Sequence, residues 1–275
     1  MSSKLFYLLL LAGLASCGSA NNDTVATQEN PGAGIPEAPL IPYTILNAFP
    51  HDTAAFTQGF EFYKGELLES TGLEGRSSLR KVDFKSGQPK TIKPLDTKLF
   101  GEGITVLGDT LYQLTWQNKK VLLYDPKSLV LKGELPWSYE GWGITNDGRS
   151  LYISDGSDKL YVVSRGTLKL ERVISVSDHL GPVNNLNELE YVDGVIYANR
   201  LDYTYIMRID PRNGQVTGKI DLKDVLEKYA RIDLGYIRNN IHGAVLNGIA
   251  WEPESKKMYV TGKLWPLVFE LQLQP

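Results

Sequence analysis

The chain has 275 residues, 42% of them hydrophobic and 22% charged, and a formal net charge of −3. This is an ordinary soluble composition, long for a single core but suited to a closed all-β domain, and it lacks the basic footprint of a nucleic-acid binder. The one cysteine, Cys17, precedes the predicted domain, and His51, His179 and His242 show no HxxxH or HxH spacing, which argues against a disulfide scaffold, a thiol nucleophile and a thiolate or histidine metal centre.

In chain order, Lys4 supplies a positive charge ahead of an apolar run at 5–14 that is too short to span a bilayer as a mature helix. It ends in Leu14-Ala15-Ser16-Cys17, a string that resembles the bacterial lipobox. The resemblance implies cleavage before Cys17 and a lipid on that residue. Residues 1–16 are therefore expected to be a lipoprotein signal peptide. Residues 17–40, rich in Ser, Asn, Thr, Gly and Pro, are expected to be a flexible tether. The chain is expected to be exported to the cell envelope, periplasm or outer membrane, and held at the membrane through Cys17. The domain is placed at 41–275.

Five segments repeat within that domain: Gln58-Gly59-Phe60-Glu61, Glu102-Gly103-Ile104-Thr105, Trp142-Gly143-Ile144-Thr145, Asn187-Glu188-Leu189-Glu190 and Asn247-Gly248-Ile249-Ala250. Their spacings are 44, 40, 45 and 60 residues. After each comes a turn and a second apolar strand, four times with a tyrosine (Tyr112, Tyr152, Tyr197, Tyr259) and once with Leu67-Leu68. A third and a short fourth strand complete each unit. Four strands per unit of this length predict an all-β, five-bladed β-propeller. The last unit has only three strands of its own, so residues 43–49 are expected to supply its outer strand and hide two edges. The long fourth spacing contains an insertion at 221–245. There Leu222, Val225, Leu226 and Tyr229 have helical spacing, with Asp221 as a candidate cap, and 232–242 is a candidate lid.

In a propeller the innermost strands line a central channel, so Gln58, Glu102, Trp142, Asn187 and Asn247 converge at one mouth. The slot is chemically unequal from repeat to repeat, as expected of a ligand pocket rather than a structural plug. The second strands end at Thr71, Trp116, Asp155, Arg200 and Lys263, beside the same mouth, with Trp265 just beyond.

The strings Phe56-Thr57-Gln58-Gly59-Phe60, Leu99-Phe100-Gly101-Glu102-Gly103-Ile104-Thr105, Glu140-Gly141-Trp142-Gly143, Leu186-Asn187-Glu188-Leu189-Glu190, Leu246-Asn247-Gly248-Ile249-Ala250 and Thr261-Gly262-Lys263-Leu264-Trp265 resemble, in order, the glutamine cyclotransferases of the plant and bacterial type. The resemblance covers 43–275 and implies a five-bladed propeller. It implies a metal-independent enzyme, without cofactor, that converts the N-terminal glutamine of a peptide or protein to pyroglutamate and releases ammonia. Because the α-amine attacks its own side-chain amide, no covalent enzyme group is needed.

Glu102, the only acid among the leading slots, is the candidate acid/base. Lys263 and Asn187 are the candidate stabilisers of the tetrahedral oxygen. Gln58, Trp116, Trp142, Asn247, Trp265 and, with a lower rank, Glu188 are candidate substrate-binding residues. Two other classes remain open: a non-catalytic binding propeller, and a calcium-dependent, lactonase-like enzyme using Glu102, Asn187, Asn247 and Asp155. A closed ring gives no reason to expect more than a monomer.

Overall fold

The computed structural model describes residues 34–231 and 243–274. Cys17, the apolar run before it and the candidate lid at 232–242, with His242, lie outside the described residues. Five four-stranded antiparallel sheets form the blades of a propeller. The first blade is Thr57–Tyr63, Glu66–Thr71, Ser78–Asp83 and Gln88–Pro94. The second is Gly101–Leu107, Thr110–Thr115, Lys120–Tyr124 and Leu131–Pro136. The third is Ile144–Asn146, Ser150–Ser154, Lys159–Ser164 and Leu170–Ser175. The fourth is Leu186–Val192, Val195–Arg200, Tyr205–Ile209 and Val216–Asp221. Each unit turns back on itself through tight connections, so sequence order and position from the axis agree.

The fifth sheet draws on both ends of the domain. Leu246–Glu252, Lys257–Gly262 and Leu267–Leu273 are its inner three strands, and Tyr43–Pro50 lies outermost. The outer pair runs from Tyr43↔Leu273 to Pro50↔Leu267, with an irregularity between Ile45 and Asn47. Ahead of this strand, Ala38 is already buried and Leu40 bridges Lys219 of the fourth blade. The chain thus makes contact with the propeller from Ala38 onward.

The recurring tyrosine is explained by where the core sits. Apolar clusters fill the joints between neighbouring blades. Tyr112, Tyr152, Tyr197 and Tyr259 each reach forward into the joint with the next blade, and Leu68 takes that place in the first. Burying a side chain of this size stabilises by on the order of 2 kcal/mol, so the repeated residue holds blade to blade.

The insertion holds one short helix, Val225–Ala230, with Val225 and Leu226 buried and Arg231 in the left-handed conformation at its end. Asp221 is not its cap. Asp224 occupies that position without a side-chain bond, and Asp221 accepts the backbone N–H of Lys223 instead.

At the seam between the fifth and first blades lies a buried charge cluster. His51 donates through Nδ1 to the carbonyl of Trp265 (2.8 Å) and through Nε2 to Glu69 (2.9 Å), and Thr57 donates to the same carboxylate oxygen (2.8 Å). A ring that donates from both nitrogens is an imidazolium. Burial opposes that charge, but Glu69, the Trp265 carbonyl and Asp52 outweigh it and hold the His51 proton more tightly than usual.

Candidate active site

Each inner strand packs against the inner strands on either side. This approach is closer than most side chains allow. A Cβ on Gly143 would stand 2.0 Å from the Asn187 carbonyl oxygen, and one on Gly59 would stand 2.5 Å from the Ile104 nitrogen. In the fourth repeat the equivalent slot holds Glu188. Its carboxylate accepts the backbone N–H of Ile249 (2.9 Å) and of Phe60 (3.4 Å), so it ties the fourth blade to the fifth and first. Glu188 therefore braces the axis and does not line the cavity.

Four of the five inner strands bulge where the candidate residues sit. Pairing slips between Thr57 and Gly59, between Gly101 and Ile104, between Leu186 and Leu189, and between Leu246 and Ile249. A bulge takes a residue out of the ladder and re-aims its side chain. Here it releases Gln58, Glu102, Asn187 and Asn247 from regular pairing. In the third blade Trp142 precedes the strand and needs no bulge.

These features open into a cavity of about 380 Å³. Of the candidate residues, Gln58, Glu102, Trp116, Trp142, Asn187 and Lys263 line it, together with Phe56, Phe100, Leu201, Asp202, Gly243 and Val245, which were not among the candidates. Phe56, Phe100 and Val245 occupy one repeated slot, two residues before Gln58, Glu102 and Asn247. The same alignment that found the pointing residues carried that signal.

Asn247 and Trp265 are not among the lining residues. Asn247 is fully buried behind the cavity wall, donating to the Thr57 carbonyl (2.9 Å) and to Gln58 Oε1 (3.3 Å). This fixes the Gln58 amide so that its nitrogen donates to Glu102 Oε1 at 3.3 Å. Trp265 is buried in the joint between the fourth and fifth blades. Its indole lies so close over Gly262 that a Cβ there would meet it at 2.3 Å. Trp265 thus props the turn bearing Lys263 from behind. Asp155 and Arg200 are also absent from the lining. Asp155 accepts from Ser157 and Tyr161, and Arg200 donates to the Asn184 carbonyl and Tyr205. The donor set of the calcium reading is therefore dispersed: of its four residues only Glu102 and Asn187 face the cavity.

Electrostatically the cavity is a buried acid and a buried base. Burial pushes the Glu102 carboxyl well above the ordinary carboxylate range; Lys263 opposes the shift and Glu140 adds to it. Burial brings Lys263 down to about 8, against the pull of Glu102 and Asp202. The Lys263 ammonium lies 4.8 Å from the centre of the Phe56 ring, a cation–π placement that offsets part of its lost hydration. Among the described residues, Asn187 Oδ1 is buried without a hydrogen-bond partner.

Residues 11–273 match the family model described as glutamine cyclotransferase. A curated relative, the glutaminyl-peptide cyclotransferase of Arabidopsis thaliana, is 38% identical over 234 residues, covering 84% of this chain and 71% of the relative. The crystal structure of Myxococcus xanthus glutaminyl cyclase superposes with a TM-score of 0.79 at 35% identity, covering 86% of this chain and 99% of that one.

Proposed function

The chain belongs to the glutamine cyclotransferase family, and from that premise we propose how its cavity performs the reaction. The protein is a glutaminyl-peptide cyclotransferase, acting on peptides that begin with glutamine and converting that residue to pyroglutamate. The α-amine nitrogen attacks the side-chain amide carbon of the same residue, the bond from that carbon to the amide nitrogen breaks, and ammonia leaves. One proton must pass from the attacking nitrogen to the departing one. Glu102, neutral at rest because it is buried, hands its proton to the leaving nitrogen and recovers one from the new lactam nitrogen. This leaves the enzyme unchanged after each turnover. Lys263 faces the oxygen that becomes negative in the tetrahedral intermediate. The unpartnered oxygen of Asn187 receives an N–H of the bound glutamine, and Trp116 and Trp142 wall the flat amide and exclude water.

The observation that carries this reading is the pairing of a buried carboxyl and a buried ammonium in one cavity, with Gln58 fixed on the carboxyl. It is tested by incubating the protein with a glutaminyl dipeptide. Release of ammonia and a blocked N-terminus are expected; an unchanged dipeptide overturns it.

From Lys4, the apolar run at 5–14 and Leu14-Ala15-Ser16-Cys17, we further propose an exported, envelope-located lipoprotein held at the membrane through Cys17, with a monomeric catalytic domain. Cys17→Ser is expected to move the protein from the membrane to the soluble fraction, and retention of the variant at the membrane would overturn this. A monomer is expected in size-exclusion chromatography.

A further inference from the structure

Glu140 lies on the connection between the second and third blades, outside the cavity lining. Its Oε2 accepts the indole N–H of Trp116 (2.7 Å) and also that of Trp142 (3.2 Å). Its Oε1 accepts from Gln117 (3.3 Å), and its backbone carbonyl accepts the indole N–H of Trp137 (3.1 Å). The two tryptophans it holds through one oxygen come from different blades and are the two indoles of the cavity wall.

Both rings are also braced from behind. The Trp142 indole lies against Gly156, where a Cβ would meet it at 2.6 Å. Trp116 meets Phe100 edge-on at 5.6 Å, and Phe100 meets Phe56 at 6.3 Å, beneath the Lys263 ammonium. The wall is therefore a continuous aromatic run from Lys263 to Trp116, and Glu140 joins its free end to Trp142. Hydrogen bonds to an ionised acceptor are shorter and stronger than neutral ones, so one carboxylate can set the tilt of both rings.

We propose that Glu140 is a positioning residue for the cyclisation. It pins Trp116 and Trp142 at the tilt that holds the glutamine amide beside Glu102. The proposal rests on the catalytic reading above.

The test compares Glu140→Gln and Glu140→Ala with the unmodified protein on a glutaminyl dipeptide. It records kcat and KM separately, together with thermal stability and the indole N–H hydrogen-bond band in ultraviolet resonance Raman. Glu140→Ala is expected to weaken that band and to lower kcat/KM roughly 10–100-fold, since a small misplacement near reacting atoms costs on that order. The loss should be mostly a raised KM, with the melting temperature held. Glu140→Gln keeps an acceptor but no charge. It is expected to recover most of kcat/KM and most of the band, because an acceptor again faces the two indoles. Unchanged kinetics in both variants overturn the proposal, as does a loss of activity that follows a loss of melting temperature. The Raman band needs no turnover. An inactive parent protein would refute the catalytic reading, while the band would still report whether Glu140 sets the two rings.

Discussion

Gln58 donates its side-chain amide to Glu102 at 3.3 Å, and it can do so because Asn247 holds the other end of that amide. The acid is thus fixed by a neutral group that adds no charge to a buried site. Glu102→Gln keeps the shape of the site and removes the proton carrier. Its kcat is expected to fall by about 10²–10⁴-fold, while its melting temperature holds or rises because a buried ionisable group is gone. Turnover within a few-fold of the parent would remove Glu102 from the mechanism.

Lys263 carries the alkaline limit. Burial lowers its affinity for the proton to about 8, so the charge that stabilises the oxyanion is lost as pH rises through that value. The kcat/KM profile is expected to fall on its alkaline side with an apparent value near 8. Lys263→Arg keeps a charge at every accessible pH and should move that limb upward at a reduced maximum. A limb that stays in place would assign it to another group.

Stability should fall with rising pH. Glu61, Glu188 and Glu190 are held well above the ordinary carboxylate range, first by burial, with mutual repulsion adding to it for Glu188 and Glu190. Each binds its proton more tightly folded than unfolded. The stabilisation is therefore complete below the unfolded value of about 4.3 and is lost as pH rises through the folded values. His51, also raised, has the same sign: its contribution is complete below about 6.5 and lost above. The turn aspartates, Asp125 and Asp210, held at about 2, act only in acid. Thermal melts should show a higher melting temperature at pH 5 than at pH 8.5, and Glu61→Gln should flatten the difference. A flat or rising trend in the parent would contradict the assignment.

Gly143 sets the closeness of the third and fourth inner strands. With the Asn187 carbonyl 2.0 Å from any added Cβ, Gly143→Ala must move backbone. A loss of about 1–3 kcal/mol or more is expected, with a weaker KM because Asn187 shifts as well. Chemical denaturation of this variant, compared with an alanine at the open position Gly133, isolates the effect.

Much of the architecture was legible because a propeller repeats. Five pointing residues, five turns and four tyrosines appear at matching positions, and the structure gives them one inner ring and one kind of joint. What was not legible depends on backbone irregularity. Strand alternation cannot show that Asn247 turns behind the wall to hold Gln58, because the bulge at Asn247-Gly248 breaks the alternation. Nor does a motif show that Trp265 is a prop, since that follows from the bare face of Gly262. Glu140 escaped notice for a different reason. It touches the site only through two other side chains, and sequence spacing cannot record that.

The fifth sheet, whose outermost strand comes from residues 43–50 and whose inner strands come from 246–273, couples catalysis to the meeting of the two ends of the domain. Pairs as distant as Asn47 and Glu270 must meet before this sheet is whole, and contacts that remote form late. Lys263 sits on the turn between the second and third strands of that sheet, and its turn is anchored through Trp265 to His51 at the seam. A chain with four finished blades would lack both the Lys263 ammonium and the Asn247 amide that fixes Gln58 on Glu102. Partly folded molecules should therefore be silent, and the appearance of activity on refolding should mark the moment the two ends of the domain join.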